Sequence, residues 1–103
     1  VYNVIRTVAV KQFVWNSEKD ARLRLERGIG FEEIVFHIAI GDLVEILEHP
    51  RPERYPGQRI FVVRCREYAH LVPFVEGEEV IVLKTIIPSR RVTKRLREEG
   101  KKP

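Results

Sequence analysis

The residues of this chain best placed for chemistry are cations set into, or next to, apolar segments. Arg59 begins an apolar run, Lys84 interrupts Val80-Ile-Val-Leu and Thr85-Ile-Ile, and Arg90 and Arg91 follow Pro88-Ser89 at the start of a final helix. Cations in a first helical turn oppose the helix dipole, so local stability does not account for Arg90 and Arg91. They read either as tolerated surface charges or as groups that bind a phosphate or carboxylate. On an alternating strand Lys84 shares a face with Val80, Val82 and Ile86, where its stem packs while its ammonium meets solvent or an anion. Tyr55 and Tyr68 offer rings for base stacking or for packing. His49 adds an imidazole, the side chain that most readily gains and loses a proton near neutral pH.

Other chemistries lack their residues. There is no phosphate-cradling glycine loop, no dinucleotide fingerprint and no His-Glu-x-x-His, and the three histidines are scattered. No nucleotide, metal or other cofactor is therefore expected. Glu45, Glu48 and His49 are close in sequence, but a strand turns Glu48 away from the other two, as expected of polar positions on a half-exposed strand. One cysteine, Cys65, excludes an internal disulfide and a cysteine-based zinc site. Its neighbours Arg64 and Arg66 could lower a thiol pKa, against the alternative of a structural, buried cysteine. His37, among Val35, Phe36 and Ile38, reads as a core or boundary histidine.

A chain of 103 residues, 44% hydrophobic and 33% charged, folds as one domain with one core to carry any site. No run approaches the ~20 apolar residues of a spanning helix and no signal-peptide pattern opens the chain, so no membrane association and a cytoplasmic location are expected. The net charge of +4 is unevenly placed. Residues 84–103 hold eight basic and two acidic side chains, a balance of +6, while the preceding 83 residues sum to −2. Such a distribution fits one face that meets phosphates.

Residues 1–12 read as an N-terminal extension with weak alternation, 13–99 as the domain, and 100–103 as a basic end. Phe13-Val-Trp15 is strand-like, and Asn16-Ser17 caps a helix that runs to Arg27 and stops at Gly28. Gly30-Phe-Glu-Glu opens a second helix, which Gly41 ends. Period-two patterning then predicts strands over 43–48, 59–65, 68–75 and 80–87, with 49–57 an extended loop and Arg66-Glu67 a hairpin turn. Pro73 predicts an edge or a bulge in its strand. Ser89 caps a last helix ending near Glu99. The expected architecture is α+β: two N-terminal helices and a C-terminal helix packed on one face of a mainly antiparallel sheet of four to five strands.

Phe13-Val-Trp-Asn-Ser-Glu-Lys19, Arg27-Gly-Ile-Gly-Phe-Glu-Glu-Ile34, Arg59-Ile-Phe-Val-Val63 and Ile86-Ile-Pro-Ser-Arg90, in that order, resemble the BrnT family of type II toxins. The resemblance spans residues 13 to about 98. It implies a RelE-like fold and a metal-independent endoribonuclease that stops translation until a cognate antitoxin binds it, giving a hetero-oligomer. In such an enzyme, cations stabilise charge at the scissile phosphate while a base and an acid move protons. By motif position Lys19, Arg59 and Arg90 carry over as catalytic residues. Chemistry and loop placement add Lys84 and His49, and give Tyr55, Arg91, Lys94 and Arg95 to RNA binding. The chain departs from the family pattern at Asn16, which replaces an aspartate, at Pro88-Ser89, and at Thr85, where the family has arginine. The last departure leaves a second expectation open, a non-catalytic RNA-binding or regulatory protein on the same fold. A third reading is a structural partner protein that recruits another chain along a strand edge near Pro73.

Overall fold

The computed structural model describes residues 11–100. The chain runs β1 (Gln12–Trp15), α1 (Ser17–Arg27), α2 (Phe31–Ala39), β2 (Leu43–Glu48), β3 (Gln58–Cys65), β4 (Tyr68–Glu76), β5 (Val80–Leu83), β6 (Ile87–Pro88) and α3 (Arg90–Glu98). The fold is α+β with a mixed sheet. Strands lie in the order β1-β5-β4-β3-β2, with β6 also on β4, and all pairs are antiparallel except β1 on β5. The alternation read over residues 2–10 lies outside the described residues. Gln12 belongs to β1, and Lys11 donates from Nζ to Glu76 and to the Gly77 carbonyl, so the domain begins before Phe13.

The two N-terminal helices form where their caps allow. Asn16 Oδ1 accepts from the Lys19 N–H, and Gly28 closes α1 in the left-handed conformation at φ 71°. Gly30 has no side chain with which to cap α2, and Asp20 on α1 supplies the missing acceptor, taking the Phe31 N–H at 2.8 Å. That bond fixes the corner between the helices and seats Phe31, fully buried, beneath Trp15, whose ring stacks on it at 5.8 Å.

The sheet buries both faces. Phe61, Val63 and Cys65 on β3 point into a core with Phe31, Ile34, Val72, Phe74, Leu83 and Ile86, on the side of α1 and α2. Val62, between Phe61 and Val63, points the other way and packs with Ala69 against Val92 and Leu96 of α3. The expectation that all three helices share one face is thus corrected: α3 covers the opposite face, because alternation along β3 leaves a second apolar row that needs its own cover.

The run expected as one strand over 80–87 is broken, and Pro73 explains the break. Phe74 faces Leu83 and Leu71 faces Ile87, so residues 84–86 oppose only residues 72–73. The Pro73 carbonyl accepts the Lys84 N–H at 2.8 Å, but proline has no N–H to return on that side, and the ladder yields a one-residue bulge. The bulge reverses the alternation. Ile86 turns into the α1/α2 core, away from the face that carries Val80, Val82 and the exposed Lys84.

The β3–β4 hairpin closes through Arg66 and Glu67, with φ of 57° and 59°, the two positive values of a type I′ turn. Neither residue is glycine or asparagine, so the turn is strained and depends on contacts elsewhere. Those contacts are made by Arg66, which donates to both oxygens of Glu33 and to the Gly28 carbonyl.

Candidate functional site

At the end of the sheet where β2 stops and β3 starts, a cleft of about 450 Å³ is lined by Glu48, His49, Pro52, Gly57, Gln58 and Arg59. Its wall is the 49–57 segment, expected as an extended loop and instead built from tight turns. The Arg51 carbonyl accepts from the N–H groups of Arg54 and Tyr55, and the Tyr55 carbonyl accepts from Gln58. Pro56 and Gly57, the latter at φ 75°, form the centre of that last turn, a type II geometry that needs a residue tolerant of positive φ at its third position. The turns bring Tyr55 back over His49, ring centroids 4.5 Å apart.

His49 is oriented by the backbone. The Arg51 N–H donates to His49 Nδ1 at 3.0 Å, so in the neutral ring the proton sits on Nε2, the nitrogen left for a ligand. Arg59 stands next to it, since Glu48 and Arg59 are paired across β2 and β3. The Arg59 guanidinium lies 5.1 Å over the Phe74 ring and donates to Glu76 at 2.6 Å. Lys11 binds the other Glu76 oxygen, and the Lys11 ammonium and then Arg59 hold the Glu76 carboxyl below the usual carboxylate range. The cleft therefore sets an imidazole N–H and a cation along one wall, with the Tyr55 ring packed on the imidazole.

The remaining expected residues lie elsewhere. Lys84 is exposed on the face opposite Arg59. Arg90 begins α3 at the other end of the sheet, where the Ser89 N–H donates to the Ala69 carbonyl. Ala69 is five residues along β4 from Phe74, the partner of Arg59, or roughly 17 Å at strand rise. Lys19 is half-buried in the first turn of α1. Arg90, Arg91 and Lys94 are exposed and form no ion pair among the described residues. Arg95 is committed internally: it donates to Glu45 on β2 and to Glu99, bonds that raise the pKa of its guanidinium, Glu45 foremost, and clamp α3 to the sheet. Of the nine residues expected at a site, His49 and Arg59 line one cleft and Tyr55 packs on His49.

A second polar cluster was not foreseen. On α2, Glu33 and His37 are four residues apart and share a face, which is turned to the end of β3. Cys65 Sγ donates to Glu33 Oε2 at 3.2 Å, and His37 Nδ1 lies 2.8 Å from Asp42 Oδ2, while Arg64 donates twice to Asp42 Oδ1. Arg66 first, together with the Cys65 thiol, lowers the Glu33 pKa; His37 and Arg64 lower that of Asp42. The flanking arginines are thus spent on carboxylates and do not activate the cysteine. Burial, and then the Glu33 carboxylate, push the Cys65 thiol up to about 12, so it is no nucleophile as it stands. The signal available in sequence was the Glu33/His37 spacing, but Cys65 lies 32 residues beyond Glu33 on another element.

No family model, no curated protein and no solved structure matches the chain. No helix among the described residues is long and apolar enough to cross a membrane.

Proposed function

We propose that the chain is an RNA-cleaving toxin of the BrnT kind on a RelE-like fold, metal-independent and held in check by a cognate antitoxin. The observation that carries this reading is that His49 and Arg59 line one cleft, with the Tyr55 ring packed on His49. As the ribose 2′-hydroxyl attacks phosphorus and gives its proton to water, Arg59 stabilises charge on the phosphorane. The P–O5′ bond breaks to leave a 2′,3′-cyclic phosphate, the 5′-oxygen is hydrogen-bonded by His49 Nε2–H and takes its proton from water, and the Tyr55 ring offers a surface for the neighbouring base. The exposed cations at the start of α3 supply long-range attraction for the RNA backbone rather than chemistry.

Incubating the purified protein with single-stranded RNA in chelator tests this. Cleavage that falls by about a hundredfold in His49→Ala supports the reading. Intact RNA from the active-concentration range of wild type, or His49→Ala cleaving as well as wild type, refutes it. A second reading, RNA binding without cleavage, is favoured by one specific observation: Arg59 is neutralised by Glu76, and Lys84 and Arg90 stand off the cleft. Salt-sensitive binding with no cleavage would select it.

A further inference from the structure

From the Glu33, His37 and Cys65 cluster we infer that the protein holds a divalent cation of the zinc class in a mixed oxygen, nitrogen and sulfur site that locks α2 to the β3–β4 hairpin. One carboxylate oxygen of Glu33, one imidazole nitrogen of His37 and Cys65 Sγ all lie within 4.8 Å of one another. Tetrahedral zinc sets such donors about 3.3–3.8 Å apart, so a closure of about an ångström completes the site. A single cysteine does not exclude it, because the other donors come from a helix distant in sequence.

Two features distinguish this cluster from polar groups that happen to meet. The first is its supporting shell: Asp42 takes His37 Nδ1, and Arg64 holds Asp42, so the imidazole is aimed and Nε2 is the nitrogen left to ligate. A carboxylate behind a ligating histidine is the usual orienting partner in zinc sites. The second is the strained turn. Arg66 and Glu67 adopt left-handed backbone next to Cys65, and this conformation lays Arg66 on Glu33. Arg66 donates to both Glu33 oxygens, Nη2 to Oε1 and Nε to Oε2, and the Oε2 lone pair that now accepts the Sγ–H is the one freed for the metal when Cys65 deprotonates. On binding, the Cys65 S–H bond breaks, its proton goes to solvent, and the sulfur lone pair ligates the ion; one proton leaves per ion bound. Glu33 and His37 are half-buried, so the fourth position opens to water. The donor set selects a borderline ion over magnesium or calcium, which require oxygen alone.

The test uses the full chain, stripped with chelator and kept reduced, titrated with Co²⁺ and Zn²⁺. We expect one Co²⁺ per chain with a near-ultraviolet thiolate-to-cobalt band and visible tetrahedral bands, both displaced by Zn²⁺. His37→Gln and Glu33→Gln should lose saturable binding, Asp42→Asn should weaken it by about 10- to 100-fold, and Zn²⁺ should raise the melting temperature of wild type but not of His37→Gln. Absence of a thiolate band in the wild type overturns the inference. So does a band equally strong in His37→Gln and Glu33→Gln, which marks a thiol binding alone. Cys65→Ser removes a fully buried group; should it fail to fold, the half-buried His37 and Glu33 variants still decide the matter. None of these readouts depends on RNA cleavage, so this inference and the proposed function stand or fall separately.

Discussion

Arg59 on β3 and Glu76 on β4 form an ion pair of 2.6 Å at the rim of the His49 cleft, and Lys11 closes on the same carboxylate. The cation that lines the cleft beside His49 is therefore held back from any incoming anion by a carboxylate that has a second cation to keep it charged. Glu76→Gln should release Arg59 and tighten single-stranded RNA binding by up to about fivefold, the range of an exposed ion pair. Arg59→Ala should weaken it, and Glu76→Gln in the Arg59→Ala background should then change nothing. Filter binding at two salt concentrations measures all three; a Glu76→Gln gain that persists without Arg59 would show a general charge effect.

Thr93 fixes the start of α3 to the sheet. Its hydroxyl accepts the Ala69 N–H at 2.9 Å and donates to the Ser89 carbonyl at 2.7 Å, while the Ser89 N–H donates to the Ala69 carbonyl. Thr93→Val keeps the volume but leaves the buried Ala69 N–H without a partner, at a cost of about 1–3 kcal/mol in urea unfolding. Thr93→Ser, which keeps the hydroxyl, should cost less.

Asp20 serves α2 from outside that helix, so its removal should be felt there. Asp20→Ala should destabilise the protein by about 1 kcal/mol, as for a lost N-cap, although Asp20 is not adjacent to α2 in sequence. Amide exchange should speed up at Phe31 before it does in β3 or β4.

The strained hairpin gives a substitution in the opposite direction. Glu67→Gly places the residue best suited to positive φ where Glu67 stands at 59°, and should stabilise the fold by about 0.5–1 kcal/mol without touching Arg66. Arg66→Gly relieves the same strain but loses the bonds to Glu33 and Gly28, so it should show no comparable gain. Thermal melts of the two variants side by side separate backbone relief from lost contacts.

His70 makes stability fall on mild acidification. Burial is the main cause lowering its pKa below 6.5, with Arg66 and His37 adding to the effect, against the Tyr68 carbonyl and Glu33. Between 6.5 and the folded value the unfolded chain takes up more protons than the folded one, so stability is greatest above that window and declines as pH drops through it. His70→Asn should flatten the unfolding free energy against pH in that window, while the steeper decline expected below about 4.5 from Glu33, Asp42 and Glu76 remains.

Local signals proved legible in the sequence where one residue decides the matter. Asn16, Gly28 and Ser89 end or start helices where their own side chains or φ values require it, and Arg66-Glu67 closes a hairpin because only two residues separate the strands. Pro73 announced a disturbance but not its place, since a missing donor acts on the neighbouring strand, and the bulge fell at residues 84–86. The side of α3 was hidden for a related reason: β3 is apolar on both faces, so alternation had no polar row to mark which face lay open. At the cleft, His49 and Tyr55 were placed together by a loop whose turn residues were visible, whereas the far end holding Arg90 depends on strand register. For Cys65 the neighbouring arginines offered an activated thiol as a rival to a buried structural one; both arginines serve carboxylates across the fold, and the buried reading holds.

The alternating burial of Phe61, Val62 and Val63 makes β3 a wall common to both hydrophobic clusters. Neither layer can melt and leave the other intact, because withdrawing α3 uncovers Val62 and Ala69 in the middle of the strands that also hold the larger core. The protein should therefore lose its structure in a single transition, with helix signal and Trp15 fluorescence disappearing together, and the 90–98 helix cannot detach as an independent arm to reach a partner.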